Sequence, residues 1–177
     1  MIPLSFIKTT DAARQAKGFT LVELVVTIVL VGIIGTFTTF FLYTGFSGYL
    51  RAKDTAEGAL KAQIALDRIS LELRDINGIS AFTTNTRIDY TSVTLPDNRQ
   101  ITYNPGARTI ALSVDGNANP LLIDVASFTM TATYADLNYY SGGGNEVQAI
   151  DVVFTVGEIG RQFSARIFPR NMVPQPP

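Results

Sequence analysis

Residues 17–50 read KGFTLVELVVTIVLVGIIGTFTTFFLYTGFSGYL, and the rest of the chain has to be fitted around this stretch. No charged residue occurs from Leu24 to Leu50, a run of 27 positions. About 20 apolar residues suffice to cross a bilayer core as a helix. The densest part, Leu24 to Leu42, is interrupted only by Thr27, Thr36, Thr38, Thr39 and two glycines. Threonine hydroxyls can bond back to a carbonyl one turn earlier, so they cost little there. The segment therefore reads as a membrane helix. One residue breaks the pattern. Glu23 sits inside the apolar run Phe19 to Val26. A carboxylate at that depth costs about 2.5–3.5 kcal/mol unless paired. No positive residue follows it until Arg51.

The residues ahead of the run hold Lys8, Arg14 and Lys17 against Asp11, a net charge of +2. The total is -1, which leaves -3 on the remainder. Positive residues before an apolar stretch keep that side in the cytoplasm, so the rest of the chain is expected outside. The core is too long for a secretory signal. The residues after it, Tyr43 to Tyr49, show no small-residue cleavage pattern, so the apolar segment is expected to be retained. A cut between Gly18 and Phe19 would create a new α-amino group four residues before Glu23. Within one helix these groups lie about a turn apart, and staggered copies could pair them as well.

The run Lys17-Gly18-Phe19-Thr20-Leu21-Val22-Glu23-Leu24 resembles the processing signal of type IV pilin-like proteins. That family comprises pilins, minor pilins and the pseudopilins of type II secretion. The resemblance implies cleavage after Gly18 by a prepilin peptidase and N-methylation of Phe19. It implies that Glu23 pairs with the terminus of a neighbouring subunit during assembly. The implied partners are the peptidase, other pilin or pseudopilin subunits, the inner membrane and an assembly platform.

Beyond the membrane the helix should continue. Ala59, Ala62, Leu66, Ile69, Leu73 and Ile76 recur at helical spacing. Lys61, Asp67, Arg68, Glu72 and Asp75 fall opposite and read as a solvated face. Arg68 and Glu72 are close enough to pair weakly. The expected stop is Asn77-Gly78, giving a helix of about 60 residues and roughly 90 Å from Phe19. Strands are expected at Thr91–Leu95, Gln100–Tyr103, Thr109–Val114, Leu121–Ala135, around Ile150–Val156 and at Phe163–Ile167. A hairpin signal lies at Asn104–Arg108, a turn cluster at Asp115–Pro120 and another turn at Gly157–Gly160. Asn138–Glu146, with three glycines, reads as a flexible loop, and the tail Met172–Pro177 as unstructured.

The expected fold is α+β: one long N-terminal helix packed on an antiparallel β-sheet, the pilin-like architecture. The expected division is a leader at 1–18, a transmembrane half-helix at 19–46, a soluble amphipathic half-helix at 47–78 and a β-domain with a disordered tail at 79–177. Residues Ala65–Arg74 and Arg166–Asn171 resemble minor subunits of the J or W type. Many major pilins have a cysteine-bounded C-terminal loop and a proline in the membrane helix. This chain has no cysteine and has Phe40 about where the proline would be. Both departures lean towards a minor pilin or a pseudopilin.

Other sites are weaker. Asp115, Asn117 and Asn119, with Asp124 near, space their oxygens as calcium loops do. Pro120 and Ala126 then stand where an EF-hand needs glycine and glutamate, and turn chemistry explains the cluster. Tyr134, Tyr139 and Tyr140 flank the glycine loop and suit partner contacts. Arg161, Arg166 and Arg170 are what a DNA-uptake pseudopilin would offer. The net charge of -1 argues against DNA as a partner. With no histidine and no cysteine, no nucleophile–base pair is recognisable and no enzyme is expected, nor any cofactor. The rival reading is a membrane-anchored binding domain that never polymerises.

Overall fold

The computed structural model describes residues 18–95, 97–136, 145–171 and 173–176. They form one helix, α1 (Leu21–Arg74), followed by β1 (Ile76–Thr83), β2 (Arg87–Ser92), β3 (Asn98–Asn104), β4 (Thr109–Val114), β5 (Asn117–Leu122), β6 (Val125–Ala135), β7 (Glu146–Val156) and β8 (Arg161–Ile167). The chain separates into two compact units between Tyr49 and Leu50. In the first, α1 is apolar and exposed on every side through Gly45. The hydroxyls of Thr36, Thr38 and Thr39 donate to the carbonyls of Gly32, Ile34 and Gly35 at 2.8–2.9 Å, as the sequence led one to expect.

The second unit is α+β, with the helix packed against antiparallel strands. There are two sheets rather than the single one expected, of order β1-β2-β3-β4-β5 and β6-β7-β8. Both are meanders, and both feed one apolar cluster with α1. Ala62, Ala65, Leu66, Ile69 and Leu73 form the helix stripe. Ile88, Ile101, Ile110 and Leu112 come from the first sheet, and Met130, Ile150, Val152 and Phe154 from the second. Alternation along β7 produces this face, since Ile150, Val152, Phe154 and Val156 are all buried. Tyr103 of β3 stacks on Phe128 of β6 with ring centroids 5.3 Å apart, and its hydroxyl donates to the Val125 carbonyl at 3.2 Å. Asn85, at a left-handed φ of 63° between β1 and β2, joins the sheets with its main chain and its amide. Its N–H donates to the Met130 carbonyl at 3.0 Å, and its Oδ1 accepts from the Met130 N–H at 3.1 Å.

Three expectations need correction. The helix stops at Arg74, and Asn77-Gly78 lie in β1 rather than in a helix cap. The chain passes from helix to strand with no left-handed residue between them. Gly78 instead pairs with Thr91 of β2. Second, Asp115–Pro120 is not one turn. Asp115 (φ 48°) and Gly116 (φ 85°) form a two-residue hairpin turn, and β5 begins at Asn117. Third, the tail is ordered where it is described. Val173 is completely buried. Its carbonyl accepts from the Val147 N–H at 2.8 Å, and the Gln175 N–H donates to Asn145 at 2.8 Å. The apolar Val173 can therefore close over the core beside β7 despite the prolines around it. The expected loop at Asn138–Glu146 falls largely at 137–144, outside the described residues.

Candidate functional site

The N-terminal motif begins as non-helical backbone at Gly18, Phe19 and Thr20, and α1 starts at Leu21. Thr20 is the N-cap. Its Oγ1 accepts from the Glu23 N–H at 3.3 Å, and its carbonyl accepts from the Leu24 N–H at 3.2 Å. Glu23 thus occupies the first turn, where the helix dipole favours a carboxylate. Among the described residues nothing forms an ion pair with it. Phe19 is exposed, and a Cβ added at Gly18 would meet nothing within 4 Å. Glycine at 18 is thus not demanded by the packing of this chain. Residues 1–17 of the expected leader at 1–18 lie outside the described residues. α1 is long and apolar enough to cross a membrane, and its most apolar window has no buried residue.

Other candidates are placed as follows. Asp115 sits in the β4–β5 turn, where its Oδ1 accepts from the Asn98 N–H at 3.1 Å. Asn117 and Asn119 are exposed in β5, and Asn119 Nδ2 donates back to the Asn117 carbonyl at 3.4 Å. The Asp115 and Asn119 side chains are thus engaged in turn and strand contacts. Tyr134 lies half-buried in β6 opposite Val147, and burial pushes its hydroxyl pKa up. Tyr139 and Tyr140 lie outside the described residues.

Sequence reasoning missed the polar centre of the second unit. Glu72 is not on a solvated face; it is buried with 7% exposure. Both its oxygens accept from Arg99 Nη1, at 2.7 and 2.8 Å. Tyr90 Oη donates to it at 2.9 Å, and Arg68 Nη2 reaches it at 2.6 Å. Arg99 is equally buried, and Tyr90 is at 1%. Burial and the Glu72 charge push the Tyr90 hydroxyl pKa far up. Glu72 stands three residues after Ile69 and seven after Ala65, so helical spacing puts it on the edge of the buried stripe, a signal that separates it from the exposed Asp67. A second carboxylate, Asp75, terminates the helix. The Ser92 hydroxyl and the Thr94 main-chain N–H donate to it, and these bonds hold its pKa below the usual carboxylate range. Asp89 is lowered chiefly by Arg87.

A carboxylate with a depressed folded pKa stabilises the fold above its unfolded pKa, and that stability is lost as pH falls through the folded value. The urea midpoint of the full chain in detergent should therefore hold from about pH 7 to 5 and fall below about pH 4. Asp75→Asn should be less stable at neutral pH and show a shallower acid limb. An unchanged limb would remove Asp75 from this account.

Residues 13–39 match the family model of the prokaryotic N-terminal methylation motif. The match spans Gly18, Phe19 and Glu23 and stops before the second unit. No curated protein matches the chain, and no solved structure does. Fold and motif together define a pilin-like α+β protein with an apolar N-terminal helix. In this respect the chain is similar to type IV pilins and pseudopilins, which are typically non-enzymatic structural subunits. A motif of this kind implies processing by a prepilin peptidase.

Proposed function

We propose that the chain is a minor pilin or pseudopilin, possessing no catalytic role of its own, that helps to initiate or cap a type IV pilus or type II secretion pseudopilus. Residues 1–18 are the leader, the cut falls between Gly18 and Phe19, and Phe19 is the methylated terminus. Residues 19–46 hold the precursor in the inner membrane, with the second unit in the periplasm. The observation that carries this reading is the motif match at residues 13–39, with Glu23 in the first turn of α1. Leaving Glu23 in lipid is costly, and pairing it with a neighbour's terminus relieves that cost. The absence of cysteine and of a proline near Phe40 supports a minor subunit.

The test is an intact mass and N-terminal peptide spectrum of the protein from its native membrane. The expected chain begins at Phe19 and is one methyl group heavier than the unmodified fragment. A chain that keeps Met1 to Gly18 where prepilin peptidase is active would overturn the reading. The anchored, non-polymerising domain would then replace it.

A further inference from the structure

The face of the first sheet that points away from the core carries a polar cavity of about 340 Å³. Its position follows from the strand register. Ile88, Ile101 and Leu112 stand side by side on β2, β3 and β4 and enter the apolar cluster. Side chains alternate along a strand. Their neighbours Asp89, Gln100 and Ser113, also side by side, therefore line the opposite face. Ser80, Arg87 and Asn98 extend the polar lining, and Gly116 of the β4–β5 turn adds backbone with no side chain.

The side chains of this row are held in place. Gln100 Nε2 and Arg87 Nε both donate to Asp89 Oδ1 at 2.8 Å, and Arg87 Nη2 donates to Asp89 Oδ2. A carboxylate only accepts, so the Gln100 amide is fixed with its nitrogen towards Asp89. Gln100 Oε1 and Arg87 Nη1 then make no bond among the described residues. Ser113 is only 8% exposed although it lies on the face away from the core. Its hydroxyl also makes no hydrogen bond among the described residues. Buried polar groups are costly unless something bonds to them.

The charges around the cavity cancel. Arg87 is paired with Asp89, and Arg99, whose residue also borders the cavity, is paired with Glu72. An anion finds no unpaired cation there, and a metal ion finds no cluster of ligating side chains among the described residues. The aromatic lining residue, Tyr90, is turned to Glu72 on the core side, so no ring offers a stacking surface to a flat aromatic ligand. What remains is a set of donors and acceptors without net charge. Adjacent hydroxyls, each able to donate and accept, match such a set. We propose that this cavity binds an uncharged saccharide, with one sugar ring lying across Asp89, Gln100 and Ser113. Its hydroxyls accept from Arg87 Nη1 and the Ser113 hydroxyl and donate to Gln100 Oε1. The volume lies within the range of small-ligand sites, about 300–1,000 Å³. The site lies wholly in the second unit, so it needs neither cleavage of the chain nor assembly.

The full chain, isotope-labelled and held in zwitterionic micelles free of sugar headgroups, is titrated with maltotriose, triacetylchitotriose and lactose and followed by amide resonances. At least one sugar should shift the Gln100 side-chain amide and the main-chain amides of Ser113 and Gly116. Those of Gly58 and Lys61 on α1 should stay in place. Gln100→Met removes the acceptor at similar size, and Ser113→Ala removes the hydroxyl. Each should weaken binding about tenfold, with the near-ultraviolet dichroism of the folded chain retained. The shifts in the unsubstituted chain locate the sugar even where a variant fails to fold. Shifts confined to other residues, or unchanged affinity in both folded variants, overturn the site. No shift with any of the three sugars overturns the saccharide assignment and leaves the cavity to solvent. Shifts of the same amides with inorganic phosphate and not with sugars overturn it in favour of an anion. None of these outcomes touches the pilin reading, which stands or falls on the mass of the mature terminus.

Discussion

Glu72→Leu will destabilise the second unit by about 3–5 kcal/mol, because it strands a buried guanidinium. Arg99 is 5% exposed at its side chain, and Glu72 is the carboxylate that two of its contacts reach. Removing that anion leaves Arg99 and the Tyr90 hydroxyl without the carboxylate that both contact. Native domains are stable by only about 5–15 kcal/mol, so the loss is a large share. The second half of the experiment makes it diagnostic. Adding Arg99→Met and Tyr90→Phe to Glu72→Leu should recover most of the lost stability, since a well-packed apolar set often equals or exceeds a buried ion pair. Urea unfolding of the full chain in detergent, followed by the near-ultraviolet dichroism of its tyrosines, measures both. A single substitution costing under about 1 kcal/mol would mean that Glu72 and Arg99 are not desolvated as described.

Glu23→Ala should leave cleavage after Gly18 intact and lower incorporation into filaments about a hundredfold. The magnitude follows from the cost of an unpaired carboxylate in the membrane, about 2.5–3.5 kcal/mol, at about 1.4 kcal/mol per factor of ten. Alanine carries no such cost, so the alanine chain gains nothing on leaving the bilayer for a neighbour's terminus. The local helix should survive, because the cap is made by Thr20 and the main-chain N–H of residue 23, not by the Glu23 carboxylate. The fraction of processed protein in sheared filaments, set against the fraction left in membranes, is the measurement. Equal incorporation of the alanine chain would remove Glu23 from the assembly step.

The architecture was legible where periodicity is strong. The uncharged run from Leu24 to Leu50, the stripe Ala62–Leu66–Ile69–Leu73 and the alternation of β7 each record burial directly in residue spacing. Thr109–Val114 was placed to the residue because the Asn104–Arg108 turn brackets it. What escaped depends on contacts distant in sequence. Helical spacing puts Glu72 on the edge of the buried stripe, but the partner that makes its burial possible, Arg99, stands 27 positions later. Asn77-Gly78 looks like a helix stop until β2 pairs with that segment. Val173 lies among prolines, and only the partner strand at Val147 shows that it is held. The division into two sheets was hidden for the same reason. Asp124, at a left-handed φ of 60°, turns the chain between Leu122 and Val125, where the sequence reads as one continuous strand from Leu121.

The Glu72 network has a mechanical consequence. A subunit drawn from a bilayer by its helix transmits tension along α1, and the β-sheets are hauled through whatever fastens them to that rod. Apolar side chains slide past one another under shear with little resistance per step. The carboxylate of Glu72 is held by Arg99 of β3 and Tyr90 of β2 within the last turns of α1, so slippage by one residue would have to break both contacts together. On the proposed filament reading, the network acts as a rivet near the far end of the rod, so that the domain travels with the helix instead of being stripped from it.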